Sequence, residues 1–361
     1  MIAGILSDTH SIDERVIRAI IGQFKTRDVE IIIHCGDIEP QHLSAELFGN
    51  LPVFCALNQE QIDKPCFENS PPEWTFTVPE KRIVDIGRVR IYLGHKRSFD
   101  FLNGSEQNLM FFLETQRNQH DGLKLVFSGH THHQIFAQTH LVNFINPGAV
   151  EASFNGHEFA IVDTDRNETV FSRLEMTKSA IPTFSVGIIS DSLRISDLDP
   201  GFWEKLAEEM FKRDARTIIH CGNIALKDVG RPELEKFTVF YNLRPDQAGK
   251  IKSTPPNWQL ISAEEPVVEI NGYRFYIKLD LGINLLEKTE IDMNTLCLKL
   301  RRRFSELDFM LCGFTRNALL VEQEQSCLIN PGDIVRDRNF AVICLPRNEI
   351  TFGHVPLDPL F

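Results

Sequence analysis

The sequence has 361 residues, of which 42% are hydrophobic and 24% are charged, and its formal net charge at pH 7 is −12. Single hydrophobic cores rarely grow beyond about 250 residues, so this length predicts two domains, and the composition excludes a disordered chain. The negative charge excludes a general nucleic-acid-binding role, but not a small phosphorylated substrate, because bound metal ions can reverse the local field.

Apolar runs rich in Ile, Val, Leu and Phe predict buried strands in the first half of the chain. These strands are predicted at residues 2–7, 30–35, 53–57, 89–93 and 124–128, and closely spaced later strands at 136–139, 141–145, 159–163 and 169–174. A helix is predicted over residues 13–25, where apolar residues recur at helical spacing behind a Ser11-x-x-Glu14 capping box. The pattern indicates a mixed α/β fold with some antiparallel pairing.

Five segments of the first half recur in the second half, in the same order and at offsets of 181 to 186 residues. The paired segments begin at Gly4 and Gly187, Ile32 and Ile218, Pro71 and Pro255, Asn146 and Asn330, and Phe159 and Phe340. A nearly constant offset predicts a tandem duplication, with domains at 1–176 and 183–361 joined through the polar segment 177–182. The second copy should repeat the helix at 200–213, with Asp199 as its cap.

No basic leader or cleavage site precedes Ser7 and Asp8, and no apolar run approaches roughly 18 residues. We therefore expect a cytoplasmic protein with no membrane partner. The eight cysteines form no CxxC pair and are typical of reduced thiols in a core.

Polar residues close five of the apolar runs in the first copy, where ligands of α/β folds bind. They are Asp8, His10, Asp37, Asn58, His95, His130 and His132. A two-residue spacing on extended backbone would place Asp8 with His10, and His130 with His132, on one side of the chain. Carboxylate, amide and imidazole donors suit Mn, Fe, Co, Ni or Zn better than calcium, and two ions sharing one carboxylate is a reasonable stoichiometry.

This ordered set of motifs resembles the calcineurin-like metallophosphoesterase superfamily, and in size and spacing its small bacterial and archaeal phosphodiesterases. The resemblance implies two tandem four-layer α/β/β/α sandwich domains and a hydroxide, held between two metal ions, that attacks phosphorus in line. It implies that one ion is held by Asp8, His10, Asp37 and His132, and the other by Asp37, Asn58, His95 and His130. Asp37 would bridge the ions, and Asp37, Asn58 and His95 would be catalytic.

The implied activity is that of a metal-dependent phosphoric ester hydrolase, a phosphodiesterase or phosphomonoesterase acting on a small phosphorylated substrate. Manganese is the favoured ion, with iron, nickel, cobalt and zinc as alternatives. One departure from the family pattern concerns the leaving group. Relatives have His or Cys after the asparagine, whereas Gln59 follows Asn58 here, which leaves the general acid unidentified.

The second copy replaces five of the seven predicted ligands. His10, Asp37, His95, His130 and His132 align with Leu193, Asn223, Leu279, Phe314 and Arg316, while Asp191 and Asn242 keep their types. We therefore expect no dinuclear site there. Arg316 could place a positive charge near Asp191 in place of the lost metal. His34 and His220 occur at the same place in both copies, so a structural hydrogen bond explains them better than catalysis.

Three hypotheses for the function remain after this comparison. The first is catalysis by the first copy, with the second copy as a structural, dimerising or regulatory partner. The second is a metal-binding scaffold or protein-interaction module with little hydrolytic activity, since a retromer subunit shares this fold and acts as a scaffold. The third is that the second copy binds a phosphorylated ligand through Arg316 or Arg244 and regulates the first.

Overall fold

A computed structural model describes residues 1–62, 64, 67, 70–96, 109–139, 141–151, 156–174, 182–244, 247, 250–251, 253–281, 290–313, 317–323 and 326–356. The chain divides into two compact units, which we call the first unit (residues 1–178 with 286–293) and the second unit (residues 179–285 with 294–361). Most of the predicted join at 177–182 lies outside the described residues, so that boundary stays a prediction. None of the helices in the described part of the chain combines the length and hydropathy needed to cross a membrane.

The first unit contains two β-sheets and three α-helices among its described residues. Its elements are β1 (Ile2–Leu6), α1 (Glu14–Thr26), β2 (Ile31–His34), β3 (Val53–Ala56), α2 (Gln59–Ile62), β4 (Trp74–Thr77), β5 (Ile83–Ile86), β6 (Val89–Leu93), α3 (Leu109–Gln119), β7 (Leu123–Phe127), β8 (Gln134–Gln138), β9 (Asn143–Pro147), β10 (His157–Asp163) and β11 (Glu168–Leu174). One sheet has the order β11-β10-β1-β2-β3-β4, and the other β8-β9-β7-β6-β5. Strands β1 to β4 are parallel, whereas β10 pairs antiparallel with both of its neighbours.

In the first unit, helices and sheets pack against one another through their apolar faces, and this packing produces the layers. Helix α1 packs on β10 and β11, α3 packs on β7, and β9 meets β10 between the sheets. The buried face of α1 consists of Val16, Ile17, Ile20, Ile21 and Phe24, and each such side chain stabilises the fold by roughly 1.5–3 kcal/mol. This mixed α/β layering of helix, sheet, sheet and helix confirms the predicted fold class.

The predicted capping box of α1 is wrong. The helix begins at Glu14, and the N-cap is Asp13, whose Oδ1 accepts a hydrogen bond of 2.9 Å from the Arg15 N–H. Asp13 has the extended backbone that an N-cap needs, two residues later than the position we assigned to Ser11.

The second unit repeats the strand order of the first. Its elements are β12 (Phe184–Ile189), α4 (Ile195–Leu198), α5 (Phe202–Lys212), β13 (Ala215–His220), β14 (Thr238–Tyr241), β15 (Trp258–Leu260), β16 (Val267–Ile270), β17 (Tyr273–Lys278), α6 (Glu290–Arg303), β18 (Phe309–Cys312), β19 (Leu319–Gln323), β20 (Ser326–Asn330), β21 (Asn339–Leu345) and β22 (Glu349–His354). Of these, only the start of α6, residues 290–293, is grouped with the first unit. Its sheets have the orders β15-β14-β13-β12-β21-β22 and β16-β17-β18-β20-β19. Element by element these match the sheets of the first unit, which is what a tandem duplication predicts.

The second copy of the long helix, α5, lies where the sequence predicts it. Its N-cap is Gly201 rather than Asp199. The Asp199 carboxylate instead accepts a hydrogen bond of 3.1 Å from the Gly201 N–H, so it supports the turn before the helix without capping it.

Candidate metal centre

The predicted ligands of the first unit lie in loops at the carboxyl ends of strands, and most have an unusual backbone. Asp8, His10, Asp37, His130 and His132 all have φ between 35° and 74°. Non-glycine residues rarely adopt this left-handed region, and such conformations concentrate at functional sites. Our reason for expecting the side chains to converge was therefore wrong: they converge because tight loops turn them inward, and not because extended backbone alternates.

The loops after β1 and β2 are joined by backbone hydrogen bonds. The Asp8 N–H donates to the Gly36 carbonyl and the His10 N–H to the Asp37 carbonyl, both at 3.0 Å. Three of the four residues in these bonds are predicted ligands, and the fourth, Gly36, directly precedes one. The bonds fix the spacing between Asp8 and Asp37.

The buried ring of His34 contacts both of these loops. Its Nδ1 accepts a hydrogen bond of 3.2 Å from the Gly36 N–H, and its Nε2 lies 3.2 Å from the Thr9 hydroxyl. Complete burial lowers the pKa of His34 to about 3, so the ring is neutral. His220 in the second unit makes the corresponding bonds to Gly222 (3.1 Å) and Ser192 (2.7 Å), in agreement with the structural role we expected.

Asp8 is fully buried in the site, and its two carboxylate oxygens have different surroundings. Its Oδ2 accepts hydrogen bonds from the Ser7 hydroxyl at 2.5 Å and from the His130 N–H at 3.0 Å. Its Oδ1 is buried and makes no hydrogen bond to any described residue. The Nε2 atoms of His132, His10 and His95 lie 3.3, 3.9 and 3.9 Å from this Oδ1.

Asp37 and His95 form the neighbouring part of the site. The His95 Nδ1 lies 3.1 Å from the Cys35 carbonyl oxygen. Because a carbonyl only accepts hydrogen bonds, Nδ1 must be the donor. The other ring nitrogen, Nε2, faces the Asp37 carboxylate and lies 3.1 Å from its Oδ2. Asn58 donates from its Nδ2 to Asp37 Oδ1 at 2.8 Å, while its Oδ1 accepts from the Gln61 N–H at 3.0 Å. For Asn58 to serve as a ligand, its amide would have to turn its oxygen towards Asp37.

His130 lies at the edge of this arrangement. Its ring centre is 5.2 Å from that of His95, and its backbone N–H holds Asp8. The structure therefore brings all seven predicted ligands into one cluster. Two subsets have donor atoms mutually within 4.8 Å: Asp8 with His10 and His132, and Asp8 with Asp37 and His95. Asp8 is common to both, and the predicted bridging role of Asp37 stays a prediction.

The electrostatics of the cluster lower the pKa values of both carboxylates and raise those of two imidazoles, His95 and His132. Burial opposes the charge of Asp8, but the imidazoles of His132 and His95 overcome it and lower its pKa. Burial likewise opposes the charge of Asp37, and the contact with His95 lowers its pKa to about 2. The contact with Asp8 raises the pKa of His132. Burial, the largest single effect on His95, lowers its pKa, but Asp37, Asp8 and the Cys35 carbonyl together outweigh burial and raise it.

These donors fit a divalent metal ion. A buried, ionised carboxylate with an unpaired oxygen is costly unless a cation or a hydrogen-bond donor faces it. Carboxylate and imidazole ligands together suit first-row transition metals. Imidazole protons partly supply the missing positive charge here, and a metal ion would replace them.

Sequence reasoning missed Glu151, whose carboxylate lies 3.6 Å from the His10 Nε2. The residue follows the recurring Asn146-Pro147-Gly148 segment at the end of β9. The clue that the sequence offered was the difference between the two copies: where the first has Glu151, the second has the apolar Val335.

In the equivalent site of the second unit, neutral hydrogen-bond donors face the remaining carboxylate. Asp191 accepts hydrogen bonds from the Asn223 amide at 2.9 Å and the Ser190 hydroxyl at 3.0 Å. A side chain at Gly222 would come within 2.9 Å of the Leu279 Cβ, so Leu279 takes the place that His95 has beside Gly36. Within the described residues, clusters that could hold a metal ion occur in the first unit alone. Phe314 and Arg316 lie outside the described residues, so the predicted contact between Arg316 and Asp191 is untested.

Comparison with known proteins agrees with the site. The family model for the calcineurin-like phosphoesterase superfamily domain matches residues 1–167. A phosphodiesterase of Methanocaldococcus jannaschii is 30% identical over 175 residues, which are 46% of this chain and 94% of the relative. A probable metallophosphoesterase of Methanothermobacter thermautotrophicus is 29% identical over 152 residues, 41% of this chain and 77% of the relative. A solved structure of an archaeal phosphodiesterase is 23% identical, with a TM-score of 0.36 over 48% of this chain and 100% of that one.

The family match and the two named relatives support a phosphoric ester hydrolase activity. The family binds divalent metal ions, and the Asp and His cluster of the first unit is suited to hold them.

Proposed function

Since the chain belongs to the calcineurin-like phosphoesterase superfamily, we propose that its first unit hydrolyses small phosphodiesters or phosphomonoesters at a centre of two divalent metal ions. The observation that carries this proposal is Asp8: its Oδ1 is buried and ionised, lacks a hydrogen bond to any described residue, and has three imidazole nitrogens within 3.9 Å. Manganese is the favoured ion.

In this proposal the two ions take different ligands and share Asp37. One ion is held by Asp8, His10, Asp37 and His132, and the other by Asp37, Asn58, His95 and His130. When bound, the ions would lower the pKa of a water molecule and neutralise charge on the phosphoryl oxygens.

The chain's own residues position this centre. The Cys35 carbonyl accepts the Nδ1 proton of His95 and so leaves the Nε2 free to face the centre, as metal-binding histidines require. The hydrogen bond from Asn58 to Asp37 places the amide beside the centre, where its oxygen would become a ligand after the amide turns. These contacts support the catalytic roles that we assign to Asp37, Asn58 and His95.

The site offers little for protonating a leaving group. Gln59, at the start of α2, has no titratable side chain, and the imidazoles of the cluster are assigned to the metal ions. We therefore propose that the enzyme acts best on esters with good leaving groups, whose departure needs no general acid.

For the second unit we propose a structural, dimerising or regulatory role without hydrolysis. The support is that Asn223 and Ser190 already satisfy Asp191 with neutral donors, so no cation is needed there. A scaffold with little activity is the alternative for the whole chain, and it is favoured by the same lack of an imidazole at Gln59.

The test uses the full chain, stripped of metal with a chelator and reloaded with Mn²⁺. We expect hydrolysis of bis(p-nitrophenyl) phosphate or p-nitrophenyl phosphate that depends on added metal, and loss of turnover in Asp37→Asn. Turnover unchanged by the chelator or by the substitution would overturn the proposed function. Stoichiometric metal binding without turnover on either ester would favour the scaffold.

A further inference from the structure

The half-buried side chain of Arg82 extends along the loop that carries His95. It lies over Gly94, where an added Cβ would come within 3.1 Å of the Arg82 Cδ. Its Nη1 donates to the Lys96 carbonyl at 3.3 Å and to the Tyr92 hydroxyl at 2.5 Å, and its Cζ lies 5.7 Å from the centre of the tyrosine ring. These contacts hold a guanidinium group at the residue that directly follows a predicted metal ligand.

The positive charge of Arg82 faces no carboxylate among the described residues. Both acceptors of its Nη1 are neutral oxygens, and its Nε and Nη2 make no hydrogen bond within the described part of the chain. Arg90 on the neighbouring strand β6 is different, because its Nε lies 2.8 Å from the Asp85 carboxylate. A planar guanidinium with donors left over matches the oxygens of a phosphate group.

Lys96 adds a second positive charge next to the metal cluster. The residue is exposed and directly follows His95 in the chain. Burial and the charge of His95 are the main causes that lower the pKa of His130, and the charge of Lys96 is the next, so the ammonium group lies within electrostatic reach of that imidazole. In a chain of net charge −12, two cations beside the metal ligands attract anions locally.

The second unit keeps the backbone around Arg82 without the guanidinium. In the first unit the Leu93 N–H donates to the Arg82 carbonyl at 2.8 Å. In the second unit the Ile277 N–H makes the same bond, also at 2.8 Å, to the Pro266 carbonyl. Pro266 therefore occupies the position of Arg82, and the pairing of this strand end does not need the arginine side chain.

The position of Lys96 changes its charge in the second unit. Leu279 takes the place of His95, and the residue after it is Asp280. Two cations of the first unit thus correspond to a proline and an aspartate in the unit that has lost five of the seven predicted ligands. The cations are present only in the copy that keeps the metal ligands, which favours a role in its function over a role in the fold.

We propose that Arg82 and Lys96 form a subsite for a second phosphate group of the substrate, beside the metal centre that receives the scissile phosphate. The inference rests on the proposed function and deepens it, because it assigns a substrate class: small phosphate esters that carry a further phosphate. Arg82 supplies a fork of donors in a fixed place, and Lys96 supplies a mobile point charge. Both act on the affinity for the substrate and on its selection.

The alternative is that Arg82 only supports the loop, through its bonds to Tyr92 and to the Lys96 carbonyl. The two possibilities predict different effects of removing the guanidinium. Loss of support would displace His95, weaken metal binding and slow every substrate by the same factor. Loss of a phosphate subsite would affect a substrate with a second phosphate more than one without it.

The test compares two diesters hydrolysed by the Mn²⁺-loaded full chain. They are thymidine 5′-(p-nitrophenyl phosphate) with and without a 3′-phosphate, which share the scissile bond and the leaving group. We expect the wild type to prefer the 3′-phosphorylated ester about tenfold in kcat/KM, through a lower KM, and Arg82→Gln to lose most of that preference. Arg82→Lys, which keeps the charge without the fork, should retain part of it.

Arg88→Gln is the matched control. It removes an exposed guanidinium from the turn before β6, at the opposite end of this strand from His95, and should leave the preference at its wild-type value. Calorimetric titration with Mn²⁺ accompanies the kinetics of each variant, so that a displaced metal ligand is recognised.

Each outcome decides between the possibilities. Equal kcat/KM of the wild type for the two esters, or an unchanged preference in Arg82→Gln, would overturn the subsite and leave the proposed function standing. A variant that slows both esters equally and binds Mn²⁺ more weakly would show that Arg82 only supports the loop. If the Mn²⁺-loaded wild type hydrolyses neither ester, the proposed function falls and the subsite falls with it.

Discussion

The side chain of His95 packs directly over the Cα of Gly36, so closely that a methyl group at position 36 would come within 2.4 Å of the His95 Cβ. Gly36 also has φ of +113°, a conformation that residues with side chains rarely adopt. The glycine is thus what allows His95 to reach Asp37. The second unit repeats the relationship with Gly222 and Leu279, which keeps the packing and loses the imidazole.

Gly36→Ala should therefore weaken metal binding by displacing His95. The Cβ and the strained φ should together destabilise the protein by about 1–3 kcal/mol, and the shift of His95 should weaken binding of one ion at least tenfold. Thermal unfolding and calorimetric titration with Mn²⁺ measure the two effects separately. Gly222→Ala is the matched control: it should cost similar stability and leave metal binding unchanged. Equal metal affinity in Gly36→Ala and wild type would show that His95 is not a ligand.

Asp37→Asn makes the change that the second copy already carries as Asn223. It should remove one negative charge that both ions would share, so we expect loss of at least one ion and a fall in turnover of more than about 100-fold. Metal content by elemental analysis and hydrolysis of bis(p-nitrophenyl) phosphate are the measurements. Asp85→Asn, which alters an exposed carboxylate paired with Arg90, should change neither. A variant that keeps two ions would contradict the bridging role.

The sequence predicted long, buried strands better than short, partly exposed ones. Apolar runs located β1, β2, β3, β6 and β7 to within one or two residues, because burial on both faces leaves an unambiguous signal. The short strands β4 (Trp74–Thr77) and β5 (Ile83–Ile86) were missed, since each has only four residues, of which β4 buries the two at its ends and β5 only the last, and so neither leaves a long apolar run.

The candidate site shows the same limit. Motif spacing identified which residues would meet at the strand ends, but their left-handed backbone follows from loop hydrogen bonds such as that from His10 to Asp37, which no local pattern encodes. Glu151 was missed for a related reason. It reaches the cluster through a turn that pairs with the loop after β1, far away in the sequence.

The buried, neutral histidines His34 and His220 should make the stability of the protein depend on pH. Burial lowers the pKa of His220 to about 3, against 6.5 for the exposed side chain. A depressed histidine pKa means that the unfolded state takes up protons first, so stability is lost as the pH falls below 6.5 towards 3. Each such group should cost about 2 kcal/mol of unfolding free energy between pH 7 and pH 5.

Urea unfolding of wild type and His220→Gln at the two pH values tests this prediction. The variant should be less stable at pH 7, because the Gly222 N–H loses its acceptor, but it should lose about 2 kcal/mol less on acidification. An identical pH dependence in the two proteins would mean that His220 is not held neutral. Metal-free protein is used for both, so that ligand protonation in the first unit is the same.

Metal binding itself should strengthen as the pH rises through the pKa values of His95 and His132. Contacts with Asp37 and Asp8 raise these pKa values above 6.5 in the metal-free fold. Their contribution to stability is therefore complete below pH 6.5 and disappears as the pH rises through the raised values. A metal ion must displace these protons, so its affinity changes in the opposite direction.

Calorimetric titration with Mn²⁺ at pH 6 in two buffers of different ionisation enthalpy measures the protons released. We expect a net release that shrinks towards pH 8.5, as the affinity approaches a plateau. His130, whose pKa is lowered by burial and by the nearby His95 and Lys96, should contribute little, so His130→Asn should weaken binding without reducing proton release. Binding without proton release at pH 6 would mean that neither His95 nor His132 holds the metal.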